Sequence, residues 1–278
     1  MFRAEASLLR TPRFCLDKLV RSPPSRVGRQ LAVSSVCDLE GRVFLVTGCT
    51  DGIGKHTATR LAENNATVII HGRSESRGEK ARQDIIKATG NESVEYFNAD
   101  FTSMGQIREM SEAIKAKYSR IDCLINNAGV YETQKCLSED GYEMSWAVNV
   151  IAPFLLTSLL LDRLRAGTKS RIINVSSISQ TDGGGRIDFD NLQHEKGYSA
   201  HSAYGLSKLC AVCFTKDLAE RLKPEGITVN CLDPGTVNTK MLLAGWGPCG
   251  IPVYSCSHSL STSMSETDKL GRSHGSFQ

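Results

Sequence analysis

The feature that most constrains this chain is a short apolar run, Val43-Phe44-Leu45-Val46, that leads directly into Thr47-Gly48-Cys49-Thr50-Asp51-Gly52-Ile53-Gly54 and then into a helix-forming segment. Four consecutive apolar residues without alternation mark a strand buried on both faces, and such strands belong to parallel sheets covered by helices on each side. The glycines permit positive φ and let the backbone approach a phosphate with no Cβ between them. A helix that starts next aims unpaired N–H groups and a partial positive charge at the anion. With a strand before it and a helix after it, the glycine cluster reads as a phosphate cradle. Gly48, Cys49, Thr50, Asp51, Gly52, Ile53, Gly54 and Lys55 are the expected contacts.

The same rhythm continues along the chain. Strands are expected at Ala66–His71, Val94–Asn98, Cys123–Asn126, Arg171–Ser176 and Thr228–Leu232. Helices are expected at Gly54–Asn64, Glu75–Thr89, Met104–Tyr118, Glu139–Arg165 and Tyr204–Leu222. Strands alternating with helices imply an α/β fold, a doubly wound parallel sheet with right-handed crossovers. No internal repeat is present beyond this alternation.

Composition sets the limits. The 278 residues suit one large domain with appendages, and 40% apolar with 23% charged residues is ordinary for a globular chain. A net charge of +3 without an extended basic run gives no argument for nucleic acid. The most apolar stretch, Val150–Leu161, contains Pro153, Thr157 and Ser158 and is shorter than a membrane span requires. The ten cysteines are scattered, and Cys210 and Cys213 form a CxxC within a helical pattern with no second pair at zinc spacing, so no metal site is expected.

The ends differ from the middle. Residues 1–37 hold seven basic and two acidic residues, the character either of an organelle transit segment or of a basic arm. Residues 38–253 carry the βα pattern, and residues 254–278, with eight serines and no periodicity, read as a disordered tail. The basic arm leaves the cytoplasm and the mitochondrion both open as locations.

Six motifs in order complete the picture: Thr47–Gly54, Asn126-Asn127-Ala128-Gly129, Asn149, Asn174-Val175-Ser176-Ser177, Tyr204-Gly205-Leu206-Ser207-Lys208 and Asp233-Pro234-Gly235. Together they resemble the short-chain dehydrogenase/reductase superfamily over roughly Gly41 to Thr239. Ile187–Leu192, with Glu195, Lys196 and Tyr198, is most similar to its retinol-dehydrogenase-like branch. The resemblance implies a nicotinamide dinucleotide, with Asp100 and Phe101 flanking the adenine, Asn127, Ala128 and Gly129 lining the adenosine side, and Pro234 and Gly235 also at the cofactor. An acid after the second strand would select NAD(H), but the chain reads Ile70-His71-Gly72-Arg73. Arg73, with Lys55 and Ser74 nearby, can hold a 2′-phosphate, so NADP(H) is expected over NAD(H).

Tyr204 and Lys208 stand at i and i+4, on one helix face. A nearby ammonium lowers the pKa of a phenol and brings it into range for proton transfer. The resemblance assigns Tyr204 the proton, Ser177 the substrate oxygen, Lys208 the nicotinamide ribose and Asn149 a proton relay, while Ser176 is structural. The implied reaction is hydride exchange between nicotinamide and the carbonyl carbon of a hydrophobic alcohol, aldehyde or ketone. His201 reads as a surface residue, and Gly183-Gly184-Gly185 as a flexible turn.

Beyond Thr236 the pattern departs from the family. Met241–Pro252 would supply part of a substrate cover, and no seventh strand is apparent, so six strands with an exposed last edge are expected. The family's oligomer surfaces partly use that missing region, which argues against a homo-oligomer of the usual kind. A catalytically silent nucleotide-binding or partner-binding form is the alternative reading.

Overall fold

Each apolar run pairs with its neighbours in one sheet. The computed structural model describes residues 38–182, 184–235 and 237. Its strands are β1 Val43–Val46, β2 Thr67–Gly72, β3 Val94–Asn98, β4 Cys123–Asn126, β5 Arg171–Val175 and β6 Thr228–Leu232. All pair in parallel, in the order β3-β2-β1-β4-β5-β6, the doubly wound arrangement expected from the sequence.

The register places Ile69, Leu45, Leu124, Ile172 and Val229 in one row across the sheet. Side chains alternate between faces along a strand, so this row points one way. It is buried against Ile107, Met110 and Ile114 of α3 (Met104–Lys117) and Leu156 of α5 (Ala152–Leu159). The neighbouring positions Val46, Val68, Ile70 and Ile125 point the other way. They meet Ala58 and Ala62 of α1 (Gly52–Ala62) and Ala81 and Ile85 of α2 (Glu75–Thr89). Full burial of each large side chain is worth about 1.5–3 kcal/mol, so both faces contribute to stability.

Because β1 lies between β2 and β4, the chain reverses its winding direction there, and a crevice opens at the carboxyl ends of β1 and β4. The ends of these strands position everything that follows.

The expected helix over Glu139–Arg165 is broken. Gly141 has φ +81, and Leu137 and Glu143 form an antiparallel bridge, so the first turn is not helical. The carboxylate of Glu143 then accepts from the amides of Ser145 and Trp146, at 2.9 and 2.8 Å, and caps α4 (Met144–Trp146). A π-helical segment, Ala147–Ile151, follows, then α5 and α6 (Leu161–Arg165). Pro153 has no N–H to donate to the carbonyl of Asn149 four residues earlier, which accounts for the break in register. Helix α7 (Ala200–Leu222) starts four residues earlier than expected because Ser199 caps it.

The expectations for residues 1–37, Met241–Pro252, the Ser-rich tail 254–278 and the missing seventh strand fall outside the described residues. Within the described residues β6 is the last strand of the sheet.

Candidate active site

Thr47 follows β1 and laces the glycine-rich turn to the loop after β4. Its Oγ1 accepts from the amides of Asn127 (3.0 Å) and Ala128 (2.9 Å). Asn127 Nδ2 in turn donates to the carbonyls of Thr47 (2.8 Å) and Gly48 (3.2 Å). Gly48 has φ +71, and a Cβ there would sit 2.8 Å from Ala128 Cα. A Cβ on Gly54 would lie 2.3 Å from the carbonyl oxygen of Gly48. The start of α1 therefore packs against the turn, closer than any side chain permits. A groove of bare backbone ending on a helix N-terminus fits the pyrophosphate of a dinucleotide.

Not every expected contact points into that groove. Cys49 is buried, its Sγ 2.9 Å from the carbonyl of Val46, so only its backbone borders the turn. Asp51 is the N-cap of α1 and accepts from the amide of Gly52 at 2.8 Å. Thr50 packs against Gly72, and Ile53 is half-buried. Lys55 is held by Asp84 at 2.6 Å, which diverts its charge from a phosphate. Arg73 is exposed just beyond β2. Asp100 Oδ1 accepts from the amide of Thr102 at 3.0 Å, whereas Phe101 is buried with its ring stacked on His71. The Phe101 ring is thus a core side chain, packed beneath the loop that follows β3. Gly129 borders the crevice after Ala128; Pro234 and Gly235 follow β6, with the Gly235 amide 3.0 Å from Asp233 Oδ1.

The second cluster gathers residues from β5, α7 and the π-helical segment. Ser177 follows β5 as the N-cap of a 3₁₀ turn, and its hydroxyl is hydrogen-bonded to that of Tyr204. Lys208 Nζ lies 5.3 Å from the centroid of the Tyr204 ring and donates to the carbonyl of Val175 at 3.0 Å. Ser176 Oγ donates to the carbonyl of Lys208 at 3.0 Å and so ties β5 to α7. Asn149 Nδ2 donates to Val130 O (2.9 Å) and Ser207 Oγ (3.0 Å), while its Oδ1 accepts from the amide of Val130 (2.8 Å). Ser207 Oγ donates to the carbonyl of Tyr204 at 2.7 Å. Asn149 thus braces the loop after β4 against the helix that carries Tyr204.

The electrostatics differ from the sequence expectation in one respect. Burial is the largest influence on Tyr204 and raises its pKa, the Ser177 hydrogen bond lowers it, and the Asp233 charge raises it. The Lys208 ammonium stands over the ring and bonds the Val175 carbonyl, and burial holds the phenol protonated rather than drawn toward phenolate. Burial also lowers Lys208 to about 8, with the thiol of Cys231 opposing.

Three residues not singled out by sequence belong to this architecture. Thr47 opens the glycine-rich motif but is not among the contacts expected from the sequence. Tyr131 is buried, with its ring 5.4 Å from that of Tyr204 and its hydroxyl 2.8 Å from His201 Nδ1. His201, exposed at the start of α7, therefore touches the residue that packs on Tyr204. The third, His71, lies at the end of β2, where the sequence signals only the absence of an acid.

Burial lowers His71 to about 4 from an ordinary 6.5, against the Ala99 carbonyl and the Asp100 charge, which both raise it. Between these values the unfolded chain binds a proton that the folded chain does not. Stability therefore rises with pH through this window and falls, by up to about 3 kcal/mol, as pH drops from 6.5 toward 4. Urea unfolding at pH 7 and 4.5 should show a smaller acid loss in His71→Gln than in the wild type. Equal losses would contradict the assignment.

Comparison with known proteins decides the family. Residues 42–244 match the family model for short chain dehydrogenases. The chain belongs to this family. This short chain dehydrogenase is 42% identical over 211 residues to human (Homo sapiens) retinol dehydrogenase 13, covering 76% of the chain and 63% of that relative. It is 42% identical over 217 residues to retinol dehydrogenase 11 of Mus musculus, covering 77% and 68%. The chain thus spans less than two thirds of the length of the first of these relatives. Its fold is shared with a short chain dehydrogenase structure from Shigella flexneri complexed with NADP, at TM-score 0.64 and 27% identity, covering 76% of this chain and 84% of that one. A short chain dehydrogenase structure from Escherichia coli complexed with NADPH matches at TM-score 0.60 and 26% identity, covering 72% and 79%.

Proposed function

We propose that this short chain dehydrogenase is an NADP(H)-dependent oxidoreductase acting on a hydrophobic alcohol, aldehyde or ketone. The observation that carries the reading is the Tyr204–Ser177 hydrogen bond beside the Lys208 ammonium, at the same end of the sheet as the glycine-rich groove. Two hydroxyls within bonding reach of each other can share one substrate oxygen. Ser177 orients and polarises that oxygen, and Tyr204 gives it a proton in the reducing direction. Burial keeps the phenol protonated until then. Lys208 stabilises the negative charge that appears on the phenol oxygen and would hold the nicotinamide ribose of a bound dinucleotide. Asn149 holds the Tyr204 backbone through Ser207. The bound dinucleotide supplies or accepts the hydride. Retinol dehydrogenase relatives and NADP-complexed neighbours support the substrate class and the cofactor.

Arg73 supports NADP(H) as the preferred form. It is exposed at the end of β2, where Gly72 touches Thr50 of the turn. A charge-assisted hydrogen bond to the 2′-phosphate is worth about 1.5–3 kcal/mol. Arg73→Ala should therefore weaken NADPH binding by about tenfold to a hundredfold and leave NADH within about twofold. Parallel losses, followed by fluorescence titration, would defeat the assignment.

The reading as a whole is tested by titrating the full chain with NADPH and following NADPH oxidation with a panel of lipophilic aldehydes and ketones. Binding together with turnover supports it. Binding without turnover favours a nucleotide-binding protein without catalysis, and absence of both overturns the site.

A further inference from the structure

One strand over from the glycine-rich turn, a histidine is enclosed on every side. His71 is 3% exposed, with Nδ1 3.3 Å from the amide nitrogen of Gly48 and Nε2 3.0 Å from the carbonyl oxygen of Ala99. Its ring stacks on Phe101, centroids 4.0 Å apart and planes 15° from parallel, and its own carbonyl accepts from the Cys49 amide at 2.8 Å. A backbone amide only donates and a carbonyl only accepts. The imidazole therefore carries its proton on Nε2 and offers the Nδ1 lone pair to Gly48. An imidazolium would set a second N–H against that of Gly48.

The two ends of the ring reach two different parts of the dinucleotide site. Gly48 opens the phosphate turn, and Ala99 leads into the Asp100-Phe101 loop after β3. Gly48 is also held from the other side, its carbonyl accepting from Asn127 Nδ2 at 3.2 Å. Its φ of +71 lies where only glycine moves freely, so a peptide pinned at both N–H and C=O exchanges that freedom for a fixed orientation before any ligand arrives.

The geometry points to His71 as a positioning residue for dinucleotide binding: a neutral imidazole strut that fixes the Gly48 peptide of the phosphate turn relative to the Ala99–Phe101 loop. The inference rests on the reading of this groove as a dinucleotide site and adds a residue to it. Polar substitutes divide the strut. Asparagine places an acceptor where Nδ1 stands, glutamine places a donor where Nε2 stands, and leucine supplies neither.

Two measurements on the full chain test it. The first is ¹⁵N NMR of the His71 ring with hydrogen exchange of the Gly48 amide, neither of which requires cofactor. The expected result is a neutral ring protonated on Nε2 and a Gly48 amide protected in the wild type and in His71→Asn, but exposed to exchange in His71→Leu. The second is the Kd for NADPH: His71→Leu should weaken it about tenfold, in line with the loss of buried hydrogen bonds, and His71→Asn should recover most of the loss. A ring protonated on Nδ1, an unprotected Gly48 amide in the wild type, or unchanged NADPH affinity in a folded His71→Leu would overturn the strut. If His71→Leu does not fold, the wild-type NMR and His71→Asn decide. A wild type that binds no NADPH while its Gly48 amide is protected contradicts the dinucleotide reading itself, and so is told apart from a failed strut.

Discussion

Tyr204→Phe should lower kcat for carbonyl reduction by about a thousandfold, within the range of about 10²–10⁴ assigned to a positioned acid or base, while NADPH affinity stays within about twofold. The substitution removes one oxygen. The ring keeps its edge contact with Tyr131, at 5.4 Å between centroids, and its place below the Lys208 ammonium at 5.3 Å. Ser207 still bonds the backbone carbonyl, so the helix and the Asn149 brace are untouched. The proton and the hydrogen bond to Ser177 disappear with that oxygen. Ser177 remains in place as the cap of its 3₁₀ turn, accepting from the Ser179 amide at 3.3 Å. Steady-state rates beside a fluorescence titration separate chemistry from binding. A kcat within about fivefold of wild type would show that the phenol is not the proton donor.

Gly54→Ala attacks the other half of the site and should abolish measurable NADPH binding. The added carbon would fall 2.3 Å from Gly48 O and 2.5 Å from Asn127 Nδ2. Neither neighbour is a flexible side-chain end free to yield. Gly48 O belongs to the turn, and Asn127 Nδ2 is committed to the carbonyls of Thr47 and Gly48. To make room, α1 must slide away from the turn and the lacing to the β4 loop must open. Overpacking of this kind costs about 1–3 kcal/mol of stability, and the displaced helix start no longer aims at the phosphates. Thermal melting together with titration measures both effects. Wild-type affinity in a folded Gly54→Ala would mean that the groove is not where the pyrophosphate lies.

The sheet was legible because its strands are short apolar runs with no competing pattern. β1, β3, β4 and β6 have the expected bounds, since a parallel strand buried on both faces ends where polar residues begin. The stretch before Arg165 was less legible. Its apolar content favours a long helix, but a single missing N–H at Pro153 and the positive φ of Gly141 override that preference. Glu143 in turn shows how a buried acid marks a helix start that periodicity placed too early.

For the site, residue types at fixed spacings in Tyr204, Lys208 and Ser177 implied convergence, and the structure brings these three together. The direction of the shift at Tyr204 was not legible, because its largest cause is burial, which only the packed fold sets, while Lys208 Nζ is bonded to the Val175 carbonyl. Likewise Lys55 stands in a promising sequence position, yet Asp84, 29 residues on, claims its ammonium. His71 was hidden for a related reason. Its meaning lies in two backbone groups, Gly48 N–H and Ala99 C=O, that only folding brings to the ring.

The most direct test of the central claim uses NADPH carrying deuterium at nicotinamide C4, a lipophilic aldehyde and the full chain, with the alcohol product weighed by mass spectrometry. The account predicts an alcohol one mass unit heavier when one of the two C4 faces is labelled and unlabelled alcohol when the other is, and almost no product from Tyr204→Phe. Alcohol formed without deuterium from either face, or formed equally fast by Tyr204→Phe, would contradict it.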